Sequence, residues 1–185
     1  MTTLSAALAP DVLIRPATVA DAAALARALR RNRQHLAPFE PRRDAAHHTA
    51  DGQRDRLREL VAEQDAGRAL PWLLMADDGE VVGAATLTGI VGGPLRSGSL
   101  GYWIDAARVG QGLASAAVRQ VCAAADAVLR LHRIEAGTLL TNAASQRVLV
   151  KNGFTAYGVA ERYLHIDGAW RDHRLFQRIL NDREP

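Results

Sequence analysis

A hairpin signal in the middle of the chain most constrains its fold. The apolar segments PWLLMA (71–76) and EVVGAATLTGI (80–90) are separated only by the turn residues DDG. An Asp-Gly turn between two apolar segments is typical of two strands joined by a tight hairpin. A second hairpin is predicted across Asp167–Gly168, between TAYGVAERYLHI and AWRDHRLFQRIL. The chain is therefore expected to build a β-sheet.

Helical patterns alternate with further strands along the chain. Helices are expected over residues 21–31, from a cap at Asp51 to Gly67, and from the end of RVGQG to Arg130. Asn142 is suited to cap a shorter helix, TNAASQRVLVK, whose end Gly153 marks. The remaining strands are VLIRP, SGSLGYWID and RIEAGTLL. This order predicts one mixed α/β domain over residues 11–182, preceded by a disordered start at 1–10.

Composition favours a globular protein with a sizeable core. Hydrophobic residues make up 48% of the 185 residues, and no apolar run approaches the ~20 residues of a membrane span. The start MTTLSAALA has no basic region of the kind that opens a signal peptide. The single cysteine, Cys122, excludes an intrachain disulfide and is expected to be buried. These features predict a cytoplasmic protein that does not interact with membranes.

Charge does not indicate nucleic-acid binding. The net charge is +3, and the arginines are scattered among acidic residues, as in RDRLRE at 54–59, rather than gathered in a basic stripe with aromatics. The loop that follows the first helix is basic, and Arg33 belongs to it. This loop could attract an acidic peptide or a ribosomal surface, or it could be a solvated loop. His47 and His48 are adjacent and would point apart, so no metal is expected.

The turn RVGQGLA links a strand ending in YWID to a long helix. Unpaired N–H groups at a helix start, together with glycines, suit a phosphate, although a plain tight turn would look the same. Ser115 stands where a Rossmann motif needs its third glycine, and the lysine of a Walker loop is absent. Gly101, inside the preceding strand, is consistent with a strand splayed from its neighbour. An unpaired strand edge that can bind amides, next to a turn that can hold a pyrophosphate, matches the chemistry of coenzyme A.

These pieces together resemble the GNAT acetyltransferases, and within them the RimJ/RimL-type protein N-acetyltransferases. The resemblance rests on LIRPATVADAAAL, RNRQHLAPF, SLGYWID, GQGLAS, LHRIEAGTLLTNAASQRVLVKNGF and DGAWRDHRLF, in that order. It implies a centrally splayed sheet of about seven strands flanked by about four helices. In the family's Q/R-x-x-G-x-G/A motif, Gly112 and Ala114 match, whereas Val109 departs from the Q/R position and Arg108 lies beside it.

The resemblance also implies roles for particular residues. Backbone groups of Trp103 and Ile104 would pair with the pantetheine arm of acetyl-CoA, and Asn142 would bind the arm near the thioester. Ser145 would contact the CoA sulfur and serve as the acid for the leaving thiolate. The pyrophosphate would lie on the backbone of Gly110, Gln111, Gly112, Leu113 and Ala114. Asn142 and Ser145 also occupy ordinary helix-capping positions, and one residue can do both.

The general base and the acceptor are less well defined by the sequence. Glu161 is the candidate base, with Glu135, His165 and Tyr102 as other ionisable residues on nearby strands. Glu135 suits a structural ion pair better, and Tyr102 suits core packing, although it is also a candidate substrate contact together with Arg33. An α-amine, with a pKa of about 7.7–8.0, needs less help from a base than a lysine at about 10.4. The absence of an obvious base therefore favours a protein N-terminus as acceptor.

The predicted activity is transfer of an acetyl group from acetyl-CoA to a primary amine in a ternary complex. The acceptor implied is a protein N-terminus of the ribosomal type, and a homodimer is compatible with the resemblance. The alternatives are acetylation of a small amine such as an antibiotic or polyamine, a CoA-binding regulator without turnover, and an RNA- or ribosome-binding module. A polyamine would need an acidic cleft, and the loop here is basic.

Overall fold

A computed structural model describes residues 3–184, which contain eight strands and five α-helices. The strands are β1 (Ala6–Ala9), β2 (Val12–Pro16), β3 (Leu70–Ala76), β4 (Val81–Val91), β5 (Ser97–Ile104), β6 (Arg133–Leu139), β7 (Thr155–Ile166) and β8 (Ala169–Ile179). The helices are α1 (Ala22–Arg31), α2 (Arg33–Leu36), α3 (Ala50–Asp65), α4 (Leu113–Ala127) and α5 (Ala143–Lys151). No helix within these residues combines the length and hydropathy that a membrane span requires.

The strands form one sheet in the order β1-β2-β3-β4-β5-β6-β8-β7. All neighbours are antiparallel except β5 and β6, which are parallel and are joined by a connection containing α4. A parallel pair needs such a crossover, whereas β3–β4 and β7–β8 are the two predicted hairpins. The mixed, splayed α/β fold expected from the sequence is confirmed, with one strand and one helix more than the approximate counts.

The parallel pair separates part-way along its length. β5 pairs with β6 only at Ser97, Gly98 and Ser99, which lie opposite residues 133–135. On its other side β5 stays paired with β4 as far as Ile104, opposite Gly83, and β6 stays paired with β8 as far as residue 139. A gap therefore opens in the centre of the sheet beside the second half of β5.

The two faces of the sheet carry separate cores. Trp72 and Leu74 pack with α4 in one cluster, whereas Leu73, between them, packs with α1 and α3 in the other. Successive strand residues point to opposite faces, so α4 and the pair α1–α3 cover opposite sides of the sheet. The gap between β5 and β6 consequently lies between two layers of helices. Cys122 is buried in the first cluster, as expected.

Two local predictions were wrong. Residues 1–10 were expected to be disordered, but Ala6–Ala9 form β1 and Trp72 Nε1 donates a 2.8 Å hydrogen bond to the carbonyl of Leu4. Antiparallel pairing with β2 and contact with the core hold this short segment, and Met1 and Thr2 lie outside the described residues. The cap of α3 is Thr49 rather than Asp51, since Thr49 Oγ1 accepts the Gly52 N–H at 3.0 Å.

The last hairpin is irregular along its length. The pairing of β7 with β8 shifts register between Ala156 and Gly158 and again between Ala160 and Leu164. Arg162, in the second shift, has a φ of +49°, and its N–H donates to Asp172 Oδ1 at 2.9 Å. Such bulges bend a strand and disrupt its ladder. β7 is therefore an edge strand broken into shorter paired segments.

Candidate active site

The second half of β5 presents an unpaired backbone edge inside the sheet. Trp103 and Ile104 pair with β4, but within residues 3–184 no strand pairs with them on the side of β6. A Cβ built on Gly101 would meet no atom within 4 Å, so the glycine leaves open space rather than relieving a contact inside the chain. An extended ligand with amide groups could add to this edge as a strand does.

The turn after β5 presents a row of free backbone donors. Gly110 and Gly112 have φ values of +83° and +80°, which glycine adopts without strain, and Gly112 precedes α4 as its N-cap. The first backbone bond at the start of α4 joins Ala116 N–H to the carbonyl of Gly112 at 3.0 Å. The N–H groups of Leu113 and Ala114 thus have no helical acceptor. This arrangement can bind an anion such as a pyrophosphate.

The space in front of this turn is open. A Cβ at Gly110 or Gly112 would meet nothing within 4 Å. Gln111 is exposed, while Leu113 is buried in the core, so only the backbone of Leu113 can face a ligand. We call residues Gly110–Ala114 the glycine cradle.

Arg108 is committed to another partner. Its guanidinium forms an ion pair with Asp11, and that hydrogen bond is the main reason why the pKa of Asp11 lies below its ordinary value. Val109, at the departing position of the family motif, is 58% exposed. The ion pair ties the loop before the glycine cradle to the start of β2 rather than aiming a cation at the cradle.

A buried polar network joins the end of β5 to α1. Asp105 Oδ2 accepts hydrogen bonds from Arg31 Nε at 2.6 Å and from Asn32 Nδ2 at 2.8 Å, and Oδ1 accepts the N–H of Ala107 at 2.9 Å. Asn32 Oδ1 in turn accepts the N–H of Ala106 at 2.8 Å. Burial alone would raise the pKa of Asp105, but the bonds from Asn32, Ala107 and Arg31 lower it overall. The carboxylate therefore stays charged and fixes the loop that leads to the cradle.

A hydroxyl pair spans the gap in the sheet. Tyr102, on β5, places its Oη 2.8 Å from Ser145 Oγ on α5 and also donates to the Ser145 carbonyl at 3.2 Å. Asn142 caps the same helix, because its Oδ1 accepts the Ser145 N–H at 3.0 Å. Burial raises the pKa of Tyr102 to about 12, so the phenol stays protonated and able to donate. The structure thus brings together three residues that the sequence singled out.

The helices that carry these groups are fixed to each other. Asn152, at the end of α5, donates from Nδ2 to Ser115 Oγ in the first turn of α4 at 3.1 Å, and also to the Val148 carbonyl at 2.8 Å. Asn152 and Ser115 are both buried. This bond positions Ser145 relative to the glycine cradle.

A cavity of about 360 Å³ lies on the α1–α3 side of β5. Gly101 and Thr86 line it from the sheet, and apolar side chains such as Leu29 and Leu57 line it from the helices. Five ionisable residues also line it: Glu40, Arg43, His47, Arg56 and Tyr102. A cavity of this size, mostly apolar with a few polar groups, is typical of a small-ligand site.

Several residues considered from the sequence lie elsewhere. Glu161 is exposed on the interrupted part of β7, and Arg33 is exposed on α2; neither lines the cavity. Glu135 is ion-paired with Arg133 and accepts a 3.2 Å hydrogen bond from Tyr157 Oη, as expected of a structural carboxylate. The His165 ring packs against Trp170 with centroids 5.5 Å apart.

Sequence reasoning missed Asn32, Asp105 and Asn152. Asn32 and Asp105 are 73 residues apart, and nothing in their local sequence indicates that they meet. Asn152 had a visible signal, since it stands beside Gly153 in the KNGF segment. That signal indicated only the end of a helix.

Comparison with known proteins settles the family. Residues 11–155 match a family model described as "Acetyltransferase (GNAT) domain". The chain belongs to the GNAT acetyltransferase family. This acetyltransferase is 33% identical over 174 residues to the probable N-acetyltransferase YjcK of Bacillus subtilis, covering 94% of this chain and 96% of that protein. It is 34% identical to the [ribosomal protein uS5]-alanine N-acetyltransferase of Escherichia coli, covering 83% and 80%.

Solved structures agree with this assignment. The acetyltransferase superposes on the ribosomal-protein-S5-alanine acetyltransferase from Vibrio fischeri with a TM-score of 0.94 and 32% identity, covering 99% of this chain and 100% of that one. Mycobacterium smegmatis RimJ in complex with CoA-disulfide gives a TM-score of 0.85 and 38% identity, covering 91% and 81%. The chain is therefore an N-acetyltransferase of the RimJ/RimL type.

Proposed function

We propose that this acetyltransferase moves an acetyl group from acetyl-CoA directly to the N-terminal α-amine of a protein, with a ribosomal protein as the acceptor type. The observation that carries the proposal is the unpaired edge of β5, which leads at one end to the glycine cradle and faces the cavity. A relative named for alanine acetylation of ribosomal protein uS5 supports the acceptor class. A structure of RimJ with a CoA disulfide supports the cosubstrate.

The proposed CoA site uses backbone more than side chains. The edge at Trp103 and Ile104 would pair with the amides of the pantetheine arm, and the glycine cradle would hold the pyrophosphate with its unpaired N–H groups. The open space at Gly101 and Gly112 fits this occupancy, because a side chain at either position would enter it. The dipole of α4 adds partial positive charge at the phosphate end.

Ser145 is the proposed acid for the leaving group. The acceptor nitrogen would form a bond to the thioester carbon, the C–S bond would break, and the thiolate sulfur would take a proton from Ser145 Oγ–H. The proton that the acceptor nitrogen releases would return to Ser145 Oγ through water. Tyr102 stays protonated and lies 2.8 Å from Ser145 Oγ, so it can donate a hydrogen bond as the serine loses its proton. Asn142 Oδ1 accepts the backbone N–H of Ser145. The side-chain amide nitrogen of Asn142 remains available to the pantetheine arm.

The acceptor amine is proposed to need little help from a base. An α-amine with a pKa of about 7.7–8.0 is partly neutral at physiological pH, and water can remove the remaining proton after attack. Glu161 remains a proposed base only through the family resemblance, since it is exposed and does not line the cavity. Positioning of both reactants at the gap would therefore supply most of the rate enhancement.

The test is release of free CoA thiol from acetyl-CoA with a panel of acceptors. The panel pairs N-terminal peptides with the same peptides blocked at the α-amine, and adds lysine-bearing peptides, polyamines and aminoglycosides. We expect turnover only with free α-amines of peptides, with mass spectrometry placing the acetyl group on the N-terminus. Faster turnover of small amines than of peptides would support acetylation of a small molecule instead. CoA binding without any turnover would support a regulatory protein.

A further inference from the structure

The cavity on the α1–α3 side of β5, where the proposed acceptor would bind, carries excess positive charge; we call it the acceptor cavity. Arg43, Arg56 and His47 line it together with one carboxylate, Glu40. Glu40 Oε2 lies 3.7 Å from Arg43 Nε, which makes a loose ion pair. The Arg56 side chain forms no ion pair and no hydrogen bond with any of residues 3–184, although Glu59 and Asp44 add negative charge in the surroundings. Two guanidinium groups therefore face one acid at the cavity.

Arg56 is solvent-exposed, but the nearby Arg43 repels its charge. Partial burial lowers the pKa of Arg56 below its ordinary value, and the positive charge of Arg43 lowers it further. A guanidinium presents several donors in a fork that matches a carboxylate. An anion bound between Arg43 and Arg56 would relieve this repulsion and accept hydrogen bonds from both guanidinium groups.

His47 also lines the cavity but adds no positive charge to it. Its Nε2 is inaccessible to solvent and makes no hydrogen bond. The buried amide of Gln53 donates to the His47 carbonyl at 2.5 Å and places its Nε2 3.5 Å from His47 Nδ1. Burial, followed by the charges of Arg43, His48 and Arg56, lowers the His47 pKa to about 4, so the ring is neutral at physiological pH.

We propose that the cavity selects acceptors carrying a carboxylate close to the reacting amine, and that Arg43 and Arg56 bind this carboxylate. The inference deepens the proposed function and rests on it. Gly101, where the amine would approach the unpaired edge of β5, lines the same cavity as these donors. Because one cavity of about 360 Å³ would hold both groups, the amine and the carboxylate must be separated by only a few bonds or a few residues.

Two sources of carboxylate satisfy this chemistry. One is an acidic side chain among the first residues of a protein acceptor, and the other is the α-carboxylate of a free amino acid. The peptide arm compares four peptides that begin with Ala and carry only Gln, or a single Glu at position 2, 3 or 4. The free-acid arm compares L-alanine with L-alaninamide, which differ only in the carboxylate.

We expect one Glu peptide to exceed the Gln peptide in kcat/KM by at least about tenfold, as a charge-assisted hydrogen bond contributes about 1.5–3 kcal/mol. The variant Arg56→Gln should reduce this preference to within about twofold. The control Arg58→Gln removes the same charge from the same helix, at a residue that is paired with Asp55 and does not line the cavity, and should keep the preference. Thermal unfolding of both variants checks that they remain folded.

The outcomes separate the inference from the proposed function. Equal kcat/KM for Glu and Gln peptides, unchanged by Arg56→Gln, would leave the peptide acetyltransferase intact and overturn the carboxylate site. A preference for L-alanine over alaninamide, without one for Glu peptides, would support the site and assign it to free amino acids. If no acceptor turned over, the proposed function would fail. Calorimetric titration of the CoA-loaded protein with the same peptides would then test the carboxylate site by itself, and equal or absent binding of the Glu and Gln peptides would overturn the inference.

Discussion

Replacing Gly112 with glutamate tests the glycine cradle. Gly112 has a φ of +80° at the N-cap of α4, and its missing Cβ faces open space. The glutamate side chain would place a carboxylate where the cradle is proposed to hold a pyrophosphate. We expect the variant to fold and to lose most of its CoA affinity.

The cost to folding comes from the backbone. A residue with a Cβ at this left-handed φ is strained by about 1–2 kcal/mol, and a negative charge near the start of α4 recovers up to about 1 kcal/mol. In a chain of this size, 1 kcal/mol shifts the melting temperature by about 2–4 °C. The expected decrease in melting temperature is therefore only a few degrees.

The cost to CoA binding comes from charge repulsion. One negative charge about 4 Å from a phosphate costs about 1 kcal/mol in water and about 4 kcal/mol near a protein surface. Because the turn is exposed, the repulsion should lie between these limits, which correspond to about 5-fold and 1,000-fold weaker binding. Any N–H contact that the side chain blocks adds to this loss.

Gly93→Glu is the matched control. Gly93 also has a positive φ, +62°, and a Cβ there would meet nothing within 4 Å, so a similar backbone strain applies. It lies in the turn before β5, at the opposite end of an eight-residue strand from the cradle. Calorimetric titration with CoA should show weak binding by Gly112→Glu and unchanged binding by Gly93→Glu. Equal CoA affinity of Gly112→Glu and the unmodified protein would refute the cradle.

Three further predictions concern single side chains. Ser145→Ala should lower kcat at saturating substrate while leaving CoA affinity nearly unchanged, and Tyr102→Phe should lower kcat by a smaller factor. An unchanged kcat of Ser145→Ala in steady-state assays would show that Ser145 has only a structural role in its helix. Asp105→Asn should cost about 1–3 kcal/mol in urea unfolding, because the Arg31 guanidinium loses its buried carboxylate partner. His47, with its pKa lowered to about 4, should stabilise the fold above pH 6.5 and lose this contribution as pH falls towards 4. Because the ring is only partly buried, the expected loss is about 1 kcal/mol. Between pH 7 and pH 5, the unfolding free energy of His47→Gln should therefore fall by less than that of the unmodified protein.

The features that the sequence predicted well are local ones. The Asp-Gly hairpins, the cap at Asn142 and the turn before α4 each depend on residues a few positions apart, and all appear where expected. Local chemistry determines a turn or a cap because the groups that satisfy each other are close along the chain. The splay of β5 was also anticipated, through Gly101 and the family resemblance.

The features that the sequence did not predict depend on distant contacts. β1 exists because an alanine-rich segment finds β2 and Trp72, neither of which its own composition indicates. Asn32 and Asp105 meet only once α1 packs at the end of β5. The cavity on the α1–α3 side of β5 joins the basic loop to α3 and the sheet, so its excess of positive charge is visible only in three dimensions.

The irregular edge of β7 has a consequence for how this sheet meets other chains. A long regular edge strand is a template onto which another strand can add. β7 is 12 residues long, but two register shifts and the turned backbone at Arg162 leave no long regular edge; β1, at the other end of the sheet, has only four residues. Within residues 3–184, the capacity to accept a new strand is concentrated in the interior gap beside Trp103.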